Sequence, residues 1–222
     1  MNTQTKNKVN RILLTGFSAV LFSLYSTLGS AGTIVGTKHD FSGSGWSGGE
    51  ICVACHTPHN ADTTVAEAPL WNHALTGKTF VLYSSPTLDA TVAQPDGSSK
   101  LCLSCHDGTV ALDSFGTTTG TTFMSGSSAV GSDDLGNDHP ISFTYDATLA
   151  GTDGALHDPT VGSVTIGAGA DSKSGTINQV MLLAGKLQCA SCHDVHNKFT
   201  NGPKLLRIAN TGSNLCLTCH NK

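Results

Sequence analysis

Regular alternation of apolar and polar residues is confined to short segments of this chain. Ile141, Phe143 and Tyr145 alternate with polar neighbours, and this period of two predicts a short, half-buried strand. Residues 178–188 predict a helix. Residues 116–136 are rich in Gly, Ser and Thr and have almost no apolar periodicity, which predicts a surface loop. The pattern therefore predicts less helix and strand than a typical globular domain contains.

The amino-terminal segment has the pattern of a secretory signal peptide. Three basic residues within the first 11 positions precede an uncharged apolar run at residues 12–28, and small residues occupy positions 29–31. This run of about 17 residues is shorter than the roughly 20 apolar residues of a membrane span, so cleavage after residue 31 is favoured over a retained anchor. We expect residues 32–222 to form one mature domain without a membrane span.

The chain has few of the large apolar side chains that would form an extensive protein core. The 222 residues include 25 glycines, and only 6% of them are aromatic and 13% charged. We therefore expect something other than side chains to fill much of the interior. The formal net charge of -4 becomes -7 without the leader, with 9 Lys and Arg against 16 Asp and Glu. This negative charge disfavours a nucleic-acid partner.

All eight cysteines lie in four Cys-x-x-Cys-His motifs. These are CVACH at residues 52–56 (motif I), CLSCH at 102–106 (motif II), CASCH at 189–193 (motif III) and CLTCH at 216–220 (motif IV). Four disulfides or two tetrahedral zinc sites are alternative interpretations of the cysteines, but neither explains a histidine after every pair. Covalent attachment of haem c explains all twelve residues, because two thiols bind the porphyrin edge and the next imidazole binds the iron.

The motifs thus predict four covalently bound haem c groups, which would form the core of so small a chain. The predicted fold class is a haem-cored multihaem cytochrome c, mostly loops with short helices and few short strands. The predicted attachment residues are Cys52, Cys55, Cys102, Cys105, Cys189, Cys192, Cys216 and Cys219. The predicted proximal iron ligands are His56, His106, His193 and His220.

Six further histidines are candidates for the second axial position of each iron. Methionine is the usual alternative, but only Met124 and Met181 remain after the leader, too few for four irons. His59 and His196 each follow a proximal histidine by three residues, so each would reach the iron of a neighbouring haem rather than its own. His139 precedes Pro140, which favours an extended backbone.

The distal candidates taken together are His39, His59, His73, His139 and His196, whereas His157 is interpreted as a turn or surface residue. Five candidates for four positions mean that at least one of them is not a ligand.

The order of the motifs resembles a known family. The segments KHDFS, ICVACHTPHNA, APLWNH, LCLSCHDGTVAL, NDHPISFTYD, CASCHDVHN and LCLTCHNK are similar to those of the multihaem c-type cytochromes of metal-reducing bacteria, above all the OmcE-type tetrahaem cytochromes that polymerise into extracellular filaments. The resemblance implies low-spin haems with two histidine ligands each, a continuous haem stack, and a fold of loops and short helices.

The expected function is electron transfer, as a subunit of an extracellular or cell-surface filament that conducts electrons to external acceptors. His39 lies in a Gly/Ser-rich arm and only two residues follow His220, so an imidazole of one subunit capping the last haem of the next would give an open head-to-tail filament. His59, His73 and His139 are alternatives to His39 as this bridging ligand. Expected partners are further copies of the chain, redox partner cytochromes and extracellular electron acceptors. One alternative is a soluble monomeric periplasmic shuttle. A second is a multihaem reductase with one open haem, although the surplus of histidines argues against an enzyme.

Overall fold

The computed structural model describes residues 34–130 and 133–221, so the expected signal peptide at residues 1–31 lies outside the described part. Helices and strands are short throughout the described residues, and loops connect them. The helices are α1 Gly97–His106, α2 Ala147–Asp153, α3 Ile177–Val180, α4 Cys189–Cys192 and α5 Asn214–Leu217. The strands are β1 Phe143–Thr144, β2 Val164–Ile166, β3 Lys173–Gly175 and β4 Lys186–Leu187. The predicted fold of loops, short helices and few short strands is confirmed.

Two antiparallel strand pairs provide the regular sheet structure of the described residues. β1 pairs with β4, and Phe143 lies opposite Leu187. The strand predicted around residues 141–145 is thus present, and the N–H groups of Ser142 and Tyr145 extend the pairing to Leu187 O and Gly185 O at 2.7 and 3.0 Å. β2 pairs with β3 in a hairpin that the sequence pattern did not predict, because each strand has only three residues.

The helix predicted over residues 178–188 is wrong. α3 ends at Val180, after a single turn. Ala184 and Gly185 then have φ values of 48° and 74°, and two consecutive positive φ values form a tight reverse turn. Leu183 and Lys186 exchange backbone hydrogen bonds across this turn at 3.1 and 2.9 Å. The chain therefore reverses and continues as β4, which leads directly into motif III.

The main apolar cluster lies in the carboxyl-terminal half of the described chain. Its buried members are Phe143, Tyr145, Ala150, Ile166, Ile177, Val180, Met181, Leu182, Leu187 and Ile208. Two smaller clusters of three residues each lie around motifs I and II, and α1 contributes Leu101 to one and Leu103 to the other. The attachment motifs are therefore positioned by small apolar clusters and by hydrogen-bonded loops.

The predicted surface loop at residues 116–136 is mostly exposed and contains a single 3-10 turn at Gly126–Ser128. Leu135 is its buried anchor, at 6% exposure beside Phe80 and Leu103. Ala31–Lys222 groups into one compact unit. None of the helices in the described residues has the length and apolar character that a bilayer crossing requires.

Candidate haem sites

Each Cys-x-x-Cys-His motif is folded as one helical turn. The N–H of the histidine donates to the carbonyl of the first cysteine in motifs I, III and IV, at 2.8, 3.1 and 2.9 Å. Motif II forms the last turn of α1. Residues three apart lie on the same face of a helix, so the two thiols of each motif project from the same side. This local geometry suits attachment to two positions on one porphyrin edge.

The second spacer residue, which directly precedes the second cysteine, anchors three of these turns. Ala54, Ser104 and Ser191 are 1%, 0% and 0% exposed. The back of each turn therefore packs against protein, which leaves the thiol face available to a cofactor. None of the eight cysteines, all of which lie in the described residues, forms a disulfide.

Motifs II and III contact one another through their first cysteines. The Cys102 thiol donates a hydrogen bond to Cys189, which lowers the pKa of Cys189 to about 7 and raises that of Cys102 well above its usual value. The Cys189 N–H donates to Ser99 Oγ at 2.9 Å, and this bond fixes α4 against α1. Cofactors bound to these two motifs are therefore neighbours.

The other motifs follow the same order in space as along the chain. Burial raises the pKa of Cys105 to about 12, and the nearby Cys55 of motif I raises it further. Burial also raises the pKa of Cys219 to about 12, with a further contribution from Cys192 of motif III. Motif I thus lies near motif II, and motif III near motif IV.

Three of the four proximal imidazoles are oriented by backbone carbonyls. The Nδ1 atoms of His56, His106 and His193 lie 2.6, 2.8 and 2.9 Å from the carbonyl oxygens of Pro69, Ser128 and Lys204, respectively. Because a carbonyl only accepts, Nδ1 carries the proton and Nε2 keeps its lone pair. This is the tautomer that binds a metal through Nε2, and the hydrogen bond fixes the direction of the ring.

Three proximal histidines also face a second imidazole. The ring centres of His56 and His196 are 6.1 Å apart, those of His106 and His39 are 5.9 Å apart, and those of His220 and His139 are 6.3 Å apart. An imidazole nitrogen binds a transition metal at about 2 Å and the ring centre lies about 1 Å behind it, so two rings on opposite sides of one iron have centres roughly 6 Å apart. The donor set at motifs I, II and IV therefore fits an iron with two axial imidazoles.

The pair at motif II places its distal candidate, His39, in a half-buried position. Burial lowers the pKa of His39 to about 4, and the neighbouring His106, His193 and His196 lower it further. Its Nδ1 atom is buried without a hydrogen-bond partner. His39 is thus held as a neutral imidazole, the form that binds iron.

Motif III differs from the other three motifs. His193 is exposed, and its ring faces no second imidazole within the described residues. His59 is also exposed, and its ring contacts no other ring in that part of the chain. Within the described residues, one proximal histidine and one distal candidate therefore face no second imidazole.

The remaining two histidines, His73 and His157, form hydrogen bonds within the protein. His73 is 2% exposed, and its Nδ1 and Nε2 atoms lie 2.8 and 3.0 Å from the carbonyl oxygens of Ala74 and Ala111. Its Nε2 is also 3.5 Å from the Cys105 sulfur. The backbone N–H of His157 donates to Cys219 O at 2.8 Å, which ties it to motif IV. Neither ring faces a proximal histidine.

Two buried aspartates that the sequence reasoning missed follow motifs II and III directly. Asp107 and Asp194 are 2% and 7% exposed, and each accepts hydrogen bonds from the loop after its motif. The sequence signal for them is a CHD triplet at both positions, where motif I has CHT and motif IV has CHN.

Comparison with known families supports this description of the sites. Residues 182–222, which contain motifs III and IV, match the family model of a doubled CXXCH motif. No curated protein matches the chain. Together with the donor geometry, the doubled motif indicates covalently bound haem c, of the kind that multihaem c-type cytochromes use for electron transfer.

Proposed function

We propose that this chain is an electron carrier with four covalently bound haems, each ligated by two imidazoles, and that it is not an enzyme. The observation that carries this proposal is the set of three facing imidazole pairs at 5.9–6.3 Å. Haem supplies one-electron chemistry at iron. The chain's own residues hold the imidazoles in place and keep other ligands away from the axial positions.

The order of the motifs in space supports a continuous path for electrons. The Cys189 N–H of motif III donates to Ser99 Oγ in α1, the helix that carries motif II. Cys55 of motif I lies near Cys105 of motif II, and Cys192 of motif III lies near Cys219 of motif IV. His196 extends from the loop after motif III and faces His56 of motif I. Segments shared between motifs hold neighbouring porphyrins close together.

We further propose that the subunits assemble head to tail into an extracellular filament. His193 and His59 are the proximal and distal candidates that have no ring partner in the described residues. His39 and His139, which the sequence also offered as bridging ligands, face His106 and His220 of their own chain. His59 of one copy would complete the coordination of the motif III haem in the next copy. Two different surfaces then meet at each contact, and such an interface builds an open polymer.

Two other functions are compatible with an exposed His193, and experiment distinguishes them from the filament. In a soluble monomeric periplasmic shuttle, His59 would cap the motif III haem of its own chain. In a multihaem reductase, the same iron would keep an open axial position for a substrate. The filament is our conclusion, because it agrees with the resemblance to filament-forming cytochromes and pairs His193 with His59, the distal candidate whose ring contacts no other ring of the described residues.

The His59→Ala variant separates these three functions, with His157→Ala as the matched control. The wild-type filament should contain four haems per chain by pyridine haemochrome, be low-spin throughout, and bind almost no carbon monoxide when reduced. His59→Ala should abolish polymers in electron micrographs and open one iron per chain, whereas His157→Ala should do neither.

Other outcomes point to the alternatives. Wild-type particles of single-chain size with all four irons six-coordinate would contradict the filament and indicate the shuttle. Rapid carbon monoxide binding to one iron in the wild type, unchanged by His59→Ala, would indicate the reductase. Fewer than four haems per chain would contradict the coordination proposal itself.

A further inference from the structure

The loop that carries His196 is held by the carboxylate of Asp194. We define loop III as residues 194–197, which follow motif III. Asp194 Oδ1 accepts from the His196 N–H at 3.0 Å, and Oδ2 accepts from the N–H groups of Lys198 and Phe199 at 3.0 and 2.7 Å. The Asp194 carbonyl also accepts from Asn197 N–H at 2.9 Å. One side chain thus holds the backbone on both sides of the histidine.

Asp194 is itself fixed to the protein interior. Its N–H donates to Leu205 O at 2.9 Å, and the Arg207 N–H donates to Cys192 O at 2.8 Å, so the segment at residues 205–207 pairs with motif III. The Arg207 guanidinium donates from Nη1 to Val180 O at 2.9 Å, which connects this segment to the main apolar cluster. Burial lowers the pKa of Arg207, and the nearby Asp194 opposes that change. The carboxylate is therefore a rigid, charge-compensated anchor.

A comparison with loop I, residues 57–60 after motif I, shows which hydrogen bonds depend on the Asp194 carboxylate. Both loops place an asparagine with a φ of 55° directly after the histidine, Asn60 in one and Asn197 in the other, so their backbone turns correspond. Thr57 takes the place of Asp194, and its hydroxyl accepts from the His59 N–H at 3.4 Å and donates to the His59 carbonyl at 2.8 Å. A short polar side chain forms this first bond in either loop. The two additional bonds to the following residues exist only with the carboxylate.

We propose that Asp194 is a positioning residue for the distal ligand of the motif I haem, holding His196 against His56 from within the segment that carries motif III. This inference rests on the proposed ligation of one iron by His56 and His196. Bonds from N–H donors to a buried carboxylate are stronger than those to a neutral acceptor. Asp194 thereby couples the attachment of one haem to the coordination of its neighbour.

Asp194→Asn is the primary test, with Asp107→Asn as the matched control. The amide keeps one acceptor oxygen and places an NH₂ group against the N–H groups of Lys198 and Phe199, so two of the three bonds are lost. We expect unchanged haem content, one partly high-spin haem that binds carbon monoxide after reduction, and amide exchange at residues 196–199 faster by about tenfold or more.

Asp107 also follows its motif and is buried, but it bonds to Thr76 and Thr109 rather than to a loop with a distal histidine. Asp107→Asn should therefore remain low-spin throughout. An Asp194→Asn protein that is fully low-spin and has wild-type exchange rates would overturn the proposal.

Asp194→Thr is the second variant, because it gives loop III the residue that loop I already tolerates. It should reproduce the spin and exchange changes of Asp194→Asn. If neither variant matures with its full haem content while Asp107→Asn does, Asp194 has a general structural role and the positioning proposal is overturned. His196→Ala tests the underlying ligation separately. If His196→Ala leaves the motif I haem low-spin, His196 is not its ligand and the proposed coordination fails, independently of Asp194.

Discussion

Loops I and III share a spacing and a backbone turn, yet they place their histidines differently. Both follow a Cys-x-x-Cys-His turn, and both have a histidine at the third position after the proximal ligand and an asparagine with a φ of 55° after it. In loop III the histidine faces His56 at 6.1 Å, whereas in loop I the ring of His59 meets no other ring of the described residues. Spacing therefore determines the turn, and the packing around the loop determines what its histidine meets.

Motif III is also held by more hydrogen bonds than motif I. Motif III lies between α1 and β4, and the buried Gln188 in front of it bonds to Asp96, Ser142 and Ser191. Motif I adjoins a cluster of only three buried apolar residues. We therefore expect motif III to be the more important of the two for the stability of the whole chain.

The largest expected effect comes from removing the attachment cysteines of each motif. Cys189→Ala with Cys192→Ala should lose one haem, leave the motif I haem without an anchored distal ligand and destabilise the main apolar cluster. Cys52→Ala with Cys55→Ala should lose one haem with a more local effect. We expect the free energy of unfolding to fall by about 3 kcal/mol more in the motif III variant. Haem content and denaturant unfolding measure this difference, and equal losses in the two variants would contradict it.

A smaller change replaces the distal ligand while keeping the haem. His196→Met should raise the reduction potential of the motif I haem by on the order of 100 mV, because a thioether ligand favours ferrous iron. His59→Met is the matched control, and it should leave that potential in place. Spectroelectrochemical titration resolves the two variants. A His196→Met protein with four unshifted potentials would show that His196 does not ligate this haem.

A third prediction concerns the pH dependence of stability, to which His39 contributes. Burial and the neighbouring histidines lower the pKa of His39 to about 4 from an ordinary value of 6.5. Between these values the unfolded chain binds more protons than the folded chain, so stability is fully present above pH 6.5 and falls as the pH decreases towards 4. Denaturant unfolding at pH 7, 5.5 and 4.5 should show the decline.

His39→Gln tests whether that decline belongs to His39. The variant should be less dependent on pH over this interval, whereas His157→Gln, at an exposed position outside the proposed ligands, should keep the wild-type dependence. An unchanged slope in His39→Gln would assign the pH dependence to other groups.

The smallest expected effect is a gain of order in loop I. Thr57→Asp would supply the carboxylate that loop III already has, and it should slow exchange of the His59 amide about threefold to fivefold, which corresponds to a hydrogen-bond gain of about 0.5–1 kcal/mol. Thr57→Ser is the control, because it keeps the hydroxyl that accepts from and donates to His59 but adds no carboxylate. If Thr57→Asp exchanges as fast as Thr57→Ser, the residue after the proximal histidine does not govern the order of the loop.

The secondary structure was predictable where the local pattern of apolar and polar residues alone determined it. The alternation of Ile141, Phe143 and Tyr145 correctly predicted β1, because the strand buries one face. Residues 178–188 were wrongly predicted as helix, because Ala184 and Gly185 adopt positive φ values in a reverse turn. The pairing of that turn with β1 overrides the helical pattern, and such pairing involves residues distant in the chain.

The sequence alone determined the class of cofactor site. A pair of thiols and an imidazole within one helical turn is a local arrangement, so the four Cys-x-x-Cys-His motifs predict four attachment sites wherever the turns lie. The sequence also predicted a few histidines as distal ligands, since only two methionines lie beyond residue 31.

Only the tertiary structure decided which imidazoles meet. His39 pairs with His106, His139 with His220, and His196 with His56. Each pair joins segments that are far apart in sequence, and spacing along the chain carries no information about contacts that packing and long-range hydrogen bonds create. The anchoring of Asp194 depends on the same contacts, because the segment at residues 205–207 must first fold back onto motif III.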